Sequence, residues 1–288
     1  MLIDDLLADR FLPVVYQGYD TVQKSLKAAQ KFALASDFAL AADGLVENIS
    51  ELVKVAPFCR LPYPITWIEF AHRDRKHWSD APMHYPELQH APHRVGFLCE
   101  AEDDSLGRFK VTLHWSLKDF ETTAQNRNNA SMMAVRYDVL RPGVKLTDWI
   151  DLTLAPFGMD IQGEAAKAFG HLLRSDWAGE IRYLFAVLGL LNARNATESE
   201  LRDNTKFNAK RLKHGKAPLA SHTVLKIRPA HKPSLIGARS ATARSNEIRG
   251  HFVRGHFKTR ATGVFWWGPH MRGRLSRGFV DKDYEVAG

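Results

Sequence analysis

An α+β fold is what this sequence predicts: N-terminal helices, an antiparallel sheet, a buried helical segment and a C-terminal basic β-hairpin. Three observations carry that expectation. Helical and two-residue apolar periods occupy separate stretches of chain instead of alternating in short units. Ile181 to Leu191 is apolar nearly all round, as a helix inside a core is. Two short alternating runs flank Thr262-Gly263, a turn sequence suited to a hairpin.

Taken in order, Val22, Leu26, Ala29 and Ala33 recur at helical spacing. So do Phe38, Ala42, Leu45, Ile49 and Leu52, after Ser36-Asp37 as a candidate N-cap,. Pro57, Pro62 and Pro64 end this regime, and Ile65 to Phe70 reads as a strand entering a buried sheet,. In Arg108 to Leu117, apolar Phe109, Val111, Leu113 and Trp115 alternate with Lys110, Thr112, His114 and Ser116, which predicts a strand with one half-buried face,. Met133 to Val139 repeats the alternation, and Trp149 to Leu154 adds a further strand. Helix resumes after Gly163. Thr197-Glu198-Ser199-Glu200 fits a capping box, predicting a helix that carries Arg202, Lys206, Lys210 and Lys213 and stops at Gly215,. Thr223, Leu225 and Ile227 then alternate as a strand, and Pro229 to Asn246 has little periodicity and reads as a loop,.

The 288 residues are 45% hydrophobic and 25% charged, which excludes disordered, collagen-like and coiled-coil chains,. Cys59 and Cys99 are the two cysteines, too few for a disulfide framework or a Cys-rich zinc site, and a reducing cytoplasm suits them,. The opening MLIDDLLADR is acidic where a secretion signal is basic,. The longest apolar run, Tyr183 to Leu191, falls far short of the ~20 residues that span a bilayer. The expectation is a cytoplasmic protein with no membrane partner.

Charge is unevenly spread. From Leu201 onward there are 19 Lys+Arg against 5 Asp+Glu, a net of +14, and the first 200 residues carry −6. This divides the chain into an acidic α+β core, 1–200, and a basic helix and hairpin region, 201–288, expected to pack together as one domain. A one-signed field attracts polyanions, unless the acidic part of the same molecule neutralises it.

The densest chemistry lies between His251 and Gly273. On a regular strand Phe252, Arg254, His256 and Lys258 share one face, a row suited to phosphate oxygens. Trp266 and Trp267 offer rings for base stacking or for packing the hairpin, and at most one of them can point inward. The sequence therefore predicts a nucleic-acid-binding surface, for DNA or RNA, made of Arg202, Lys206, Lys210, Arg254, His256, Lys258, Arg260, Trp266 and Arg272. An alternative is a metal-independent ribonuclease with His256 and His270 as acid and base beside Arg254 and Lys258. A third class is a protein–protein module that docks its basic surface on an acidic host factor.

Other constellations carry less. His72, His77, Asp80, His84, His90 and His93 lack zinc-site spacing and sit among prolines, so they read as loop and no metal is expected,. Glu69 and Glu100 each end an apolar run and could be buried carboxylates, but strand ends reaching solvent explain both. Walker A, GxGxxG after a strand, GxSxG and EF-hand patterns are missing, so no cofactor is expected.

The blocks Leu61-Pro-Tyr-Pro-Ile-Thr-Trp-Ile-Glu69, Leu190-Leu-Asn-Ala-Arg-Asn195 and VRGHFKTRATGVFWWGPHMRG (253–273) resemble uncharacterised proteins encoded by phages and prophages of proteobacteria, from about Pro57 onward. The C-terminal block is the specific part. The resemblance implies a mobile-element context and a bacterial cytoplasm, and it transfers no catalytic residue.

Overall fold

Residues 179–192 (α5) are too apolar to face water on any side, and the fold is arranged to cover them. Ile181, Tyr183, Leu184, Phe185, Ala186, Val187, Leu188 and Leu190 are all buried. A computed structural model describes residues 1–7, 19–71, 94–102, 105–116, 133–138, 151–153, 179–228, 249–272 and 274–280. Its other helices are α1 (Leu2–Leu7), α2 (Tyr19–Ala28), α3 (Ser36–Val46), α4 (Ile49–Val55) and α6 (Thr205–Lys213).

The main sheet has eight strands, in the order β6-β5-β4-β3-β2-β1-β8-β7. They are β1 (Gln30–Leu34), β2 (Ile65–Ala71), β3 (Arg94–Glu102), β4 (Ser105–Ser116), β5 (Met133–Asp138), β6 (Asp151–Thr153), β7 (Thr197–Arg202) and β8 (His222–Ile227). The α+β class holds. The pairings are antiparallel except at β1, which runs parallel to both β2 and β8.

Strand β1 corrects the helical reading of Ala29 and Ala33. Phe32, Ala33 and Leu34 are consecutive and all buried, because a strand between two neighbours and two covered faces has no polar side to show. Its pairing partners lie far away in sequence, so local periodicity does not report them. Three further local readings give way. The α3 N-cap is Ala35, not Ser36, and the expected second helix is two, divided where Asn48 caps α4. Thr197 to Arg202 is edge strand β7 and not a capped helix. There Glu200 pairs with Lys226 at 2.6 Å and with Arg202 at 2.8 Å, and Glu198 lies 3.7 Å from Arg228. Cross-strand charges of this kind stabilise a ladder, and they neutralise part of the basic C-terminal region from within.

Both faces of the central strands are covered. Ile68, Phe70, Val95, Phe97, Phe109, Val111 and Leu113 pack in one core with α3, α4 and α5. Trp67 and Leu98, on the other face, pack with Leu2, Ile3 and Leu6 of α1 and Leu26 of α2. Gly96 is required here, because a Cβ would stand 2.2 Å from the Trp67 ring. Glu69 is fully buried and not at a solvent-facing strand end. Its carboxylate accepts from the N–H groups of Leu2 at 2.7 Å and Ile3 at 3.2 Å, from Trp67 Nε1 at 3.2 Å, and from Arg94 Nε. A buried carboxylate is tolerated when it is paired in this way, and this one fastens the chain start to the sheet. Glu100, half-buried, accepts from Ser25 Oγ.

The β4 alternation held, but its polar face is not solvated: Thr112 and His114 are buried too. The His114 ring lies 5.5 Å from the Trp67 ring, and neither ring nitrogen has a hydrogen-bond partner among the described residues. Residues 72–93, with the histidine cluster, and the expected loop 229–246 lie outside the described residues.

Burial penalises the imidazolium and lowers the His114 pKa from 6.5 to about 3. Between those values the unfolded chain binds the proton and the folded one does not. Stability from this residue is therefore complete above pH ~6.5 and declines as pH falls, by up to about 1.4 kcal/mol per unit. Urea unfolding of the wild type and His114→Leu across pH 4 to 8 should give curves that converge or cross toward acid, with the wild type losing more. Parallel curves would contradict a neutral buried ring.

Candidate functional site

The chain from His251 onward was expected to run as one strand into the Thr262-Gly263 turn. Instead it breaks at Arg254-Gly255, between β9 (Arg249–Val253) and β10 (His256–Arg260). The break has a steric cause. A Cβ at position 255 would stand 2.3 Å from the Trp266 ring, so the chain passes the indole with glycine. Strand β10 then pairs antiparallel with β11 (Gly263–Trp267), setting His256 opposite Trp267, Phe257 opposite Trp266 and Lys258 opposite Phe265. The hairpin is thus present, with Ala261-Thr262 as its turn and Gly263 at φ +127° opening β11.

Alternation divides the hairpin into two faces. Phe257, Val264 and Trp266 point inward and belong to the main core. Phe257 and Trp266 rings are 5.0 Å apart, and the Phe257 ring also reaches the α5 backbone at Gly189. Polar anchors fix the register. Asn195, just beyond α5, accepts from the Trp266 N–H and donates to its carbonyl, both at 2.8 Å, acting as a strand neighbour would. Glu51 of α4 accepts the Phe257 N–H at 2.8 Å. The Arg194 N–H donates to the Val264 carbonyl at 3.0 Å. Asn192, in the same LLNARN block, donates to the Arg60 carbonyl at 2.9 Å.

The outer face carries His256, Lys258, Arg260, Phe265 and Trp267. Lys258 Nζ sits 4.1 Å above the Trp267 ring, the Arg260 guanidinium 5.5 Å from Phe265 and 5.7 Å from Trp267, and the His256 ring stacks on Trp267 at 6.5 Å. Cation–π contacts of this sort hold long basic side chains against aromatic faces. The result is a cationic, aromatic surface with little side-chain freedom left to lose on binding.

The predicted residues stand on several elements. His256, Lys258 and Arg260 come together. Arg254 falls in the strand break, and Arg272 stands on β12 (His270–Arg272), which pairs with β9 in a separate sheet completed by β13 (Arg274–Val280). Arg202 is ion-paired on β7, and Lys206 and Lys210 lie on exposed α6. Trp266 is buried, so of the two tryptophan rings the one on the outer face is Trp267, beside Phe265, and neither of these belonged to the predicted binding set. The register signal was legible: once one of two adjacent tryptophans packs inward, the other faces out. His256 and His270 lie on different sheets, and each Nδ1 faces the carbonyl two residues earlier, at 3.2 and 3.1 Å. Neither ring has a side-chain hydrogen-bond partner among the described residues. Both cysteines are buried, which raises their thiol pKa and leaves them unreactive,. No group of three or more His, Cys, Asp or Glu able to hold a metal occurs among the described residues.

Residues 38–277 match the AcrVA2-like family, described as the anti-CRISPR type V subtype A2 family. The chain belongs to that family. No curated protein and no solved structure matches it. The match starts ahead of Pro57 and runs through the hairpin, so the resemblance to phage-encoded proteins resolves into a phage-type anti-CRISPR family; the C-terminal block is not shown to be its signature. Membership corrects the main functional expectation. An anti-CRISPR family inhibits a CRISPR system and does not indicate nucleic-acid binding, and it favours the protein-docking class set out above. In this anti-CRISPR chain the outer hairpin face sets exposed Lys258 and Arg260 against the half-buried rings of Phe265 and Trp267.

The division of the two tryptophans has a measurable consequence. Trp266→Ala should cost about 3–5 kcal/mol of unfolding free energy. Trp266→Phe keeps the ring on Phe257 and removes an indole N–H that is buried without a partner, so its cost should stay below about 1.5 kcal/mol. Trp267→Ala should be milder than Trp266→Ala by chemical denaturation. The reverse order would contradict the assigned faces.

Proposed function

We propose that this chain inhibits a type V CRISPR system by binding a protein component of it, the effector, in the cytoplasm of a phage-infected bacterium. The outer face of the β10–β11 hairpin makes the contact. The observation that carries this reading is the pairing of Lys258 and Arg260 with Phe265 and Trp267 on a hairpin whose other face is locked to the core. Trp and Arg dominate binding energy at protein interfaces when a rigid base presents them. The cations suit carboxylates on the partner, and the rings suit the apolar surface around them. No helix among the described residues is long and apolar enough to cross a membrane.

A plating assay tests the reading. In a bacterium whose type V system targets a phage, expressing the wild-type chain should restore plating, and the effector should co-purify with it. Lys258→Glu combined with Trp267→Ala should lower affinity at least about thirtyfold, the equivalent of 2 kcal/mol for one interface anchor, and restore targeting at equal protein level. Full protection by that variant would remove the hairpin face from the account.

A further inference from the structure

Helix α6 has nine residues and none of them is buried. A helix so short is marginal by itself, and it is held by polar contacts to the loop after it instead of by a core. Asn208 accepts from the Leu219 N–H at 2.8 Å and donates to its carbonyl at 2.7 Å. Arg211 Nε donates to the Ala217 carbonyl at 2.8 Å, and Asn204 to the Ala220 carbonyl at 2.9 Å. The Ala220 N–H in turn donates to Asp4 of α1 at 2.7 Å. These contacts fix one side of the helix.

At 100° per residue the opposite side carries Lys206, Lys210 and Lys213, spanning about 10 Å along the axis. None of the three has an ion pair among the described residues. Asp203 is the one acidic residue from 203 to 216, and its carboxylate is occupied by the N–H and hydroxyl of Thr205. On neighbouring β7 and β8, by contrast, Arg202, Lys226 and Arg228 are matched by Glu198 and Glu200. Apart from Asp203, on which Lys206 acts electrostatically, the charge of the stripe has no acidic counterpart among the described residues. Phe207, 52% exposed with Arg211 lying 5.8 Å from its ring, flanks the stripe about 90° round the helix, whereas Leu212, 60% exposed, stands about 130° from it on the other flank,.

We infer that α6 is a second docking element, separate from the hairpin, whose lysine stripe receives an acidic amphipathic segment of a protein partner. Charge complementarity selects the carboxylates. Phe207 gives the stripe an apolar edge that an amphipathic segment can cover, and membership of an anti-CRISPR family favours a protein over a nucleic acid as its occupant. The assignment does not depend on the hairpin making the contact with the effector.

The test uses the full chain and two fluorescent probes: a Glu/Leu amphipathic peptide of about 20 residues and a single-stranded oligonucleotide of matching charge. Lys206→Glu, Lys210→Glu and Lys213→Glu together should weaken the peptide at least tenfold, about 0.5 kcal/mol for each exposed pair. Phe207→Ser should weaken it as well, and Lys258→Glu with Arg260→Glu should leave it unchanged. All α6 substitutions are at solvent-exposed or half-exposed positions, and far-UV circular dichroism confirms the fold. No peptide binding by the wild type, equal binding by the triple variant, or an oligonucleotide held more tightly than the peptide and released by the triple variant would each overturn the inference. Loss of inhibition in the hairpin variant bears only on the hairpin.

Discussion

The constraint on which the structure depends is the burial of α5. A helix with Tyr183, Leu184, Phe185, Val187, Leu188 and Leu190 all enclosed needs cover on every side. The main sheet supplies one side, with the Tyr183 ring 4.5 Å from Phe70. Helix α3 supplies another, where the Tyr183 hydroxyl donates to the Ala39 carbonyl. Cys59 and Val55 come from the α4 region, the first donating to the Phe185 carbonyl and the second packing near Gly189. What remains is closed by Phe257, Val264 and Trp266. The hairpin is therefore part of the core on one side and free of it on the other, and the separation of its packing residues from its exposed cations follows from strand alternation alone.

Much of this was legible in the sequence because the signal was local. The all-round apolar α5, the alternation of β4 and the turn before Gly263 each state their structure within a dozen residues. What was not legible depended on distant partners. β1 is a strand because β2 and β8 lie beside it, and Thr197 to Arg202 is a strand because Lys226 and Arg228 lie across from Glu198 and Glu200. In each case a short polar or helical motif was overridden by tertiary pairing. Glu69 shows the same limit: nothing near it in sequence reveals that the N-terminal amides of α1 converge on its carboxylate.

The candidate site was half legible. His256, Lys258 and Arg260 were placed on one strand correctly, but Arg254 lost its place in the row to the break at Gly255, which exists to let Trp266 pack. The asymmetry of charge was visible from counting. Its meaning was not, since part of it is cancelled on the β7–β8 ladder, part is displayed on α6 and the hairpin, and Lys232, Arg239 and Arg244 lie outside the described residues. A cationic surface interleaved with aromatics suits carboxylates as well as phosphates, and composition alone does not separate the two. Family membership points to inhibition of a CRISPR system and favours the protein-docking class.

The central claim is that the inner and outer hairpin faces have different work, one packing on α5 and the other meeting a protein. Hydroxyl-radical footprinting of the chain, alone and with a saturating purified type V effector, reads both at once. Phe265 and Trp267 should be oxidised in the free chain and protected in the complex, while Trp266 should be slow to react in both. Unchanged oxidation of Trp267 at saturation, or a Trp266 as reactive as its neighbour in the free chain, would contradict the account.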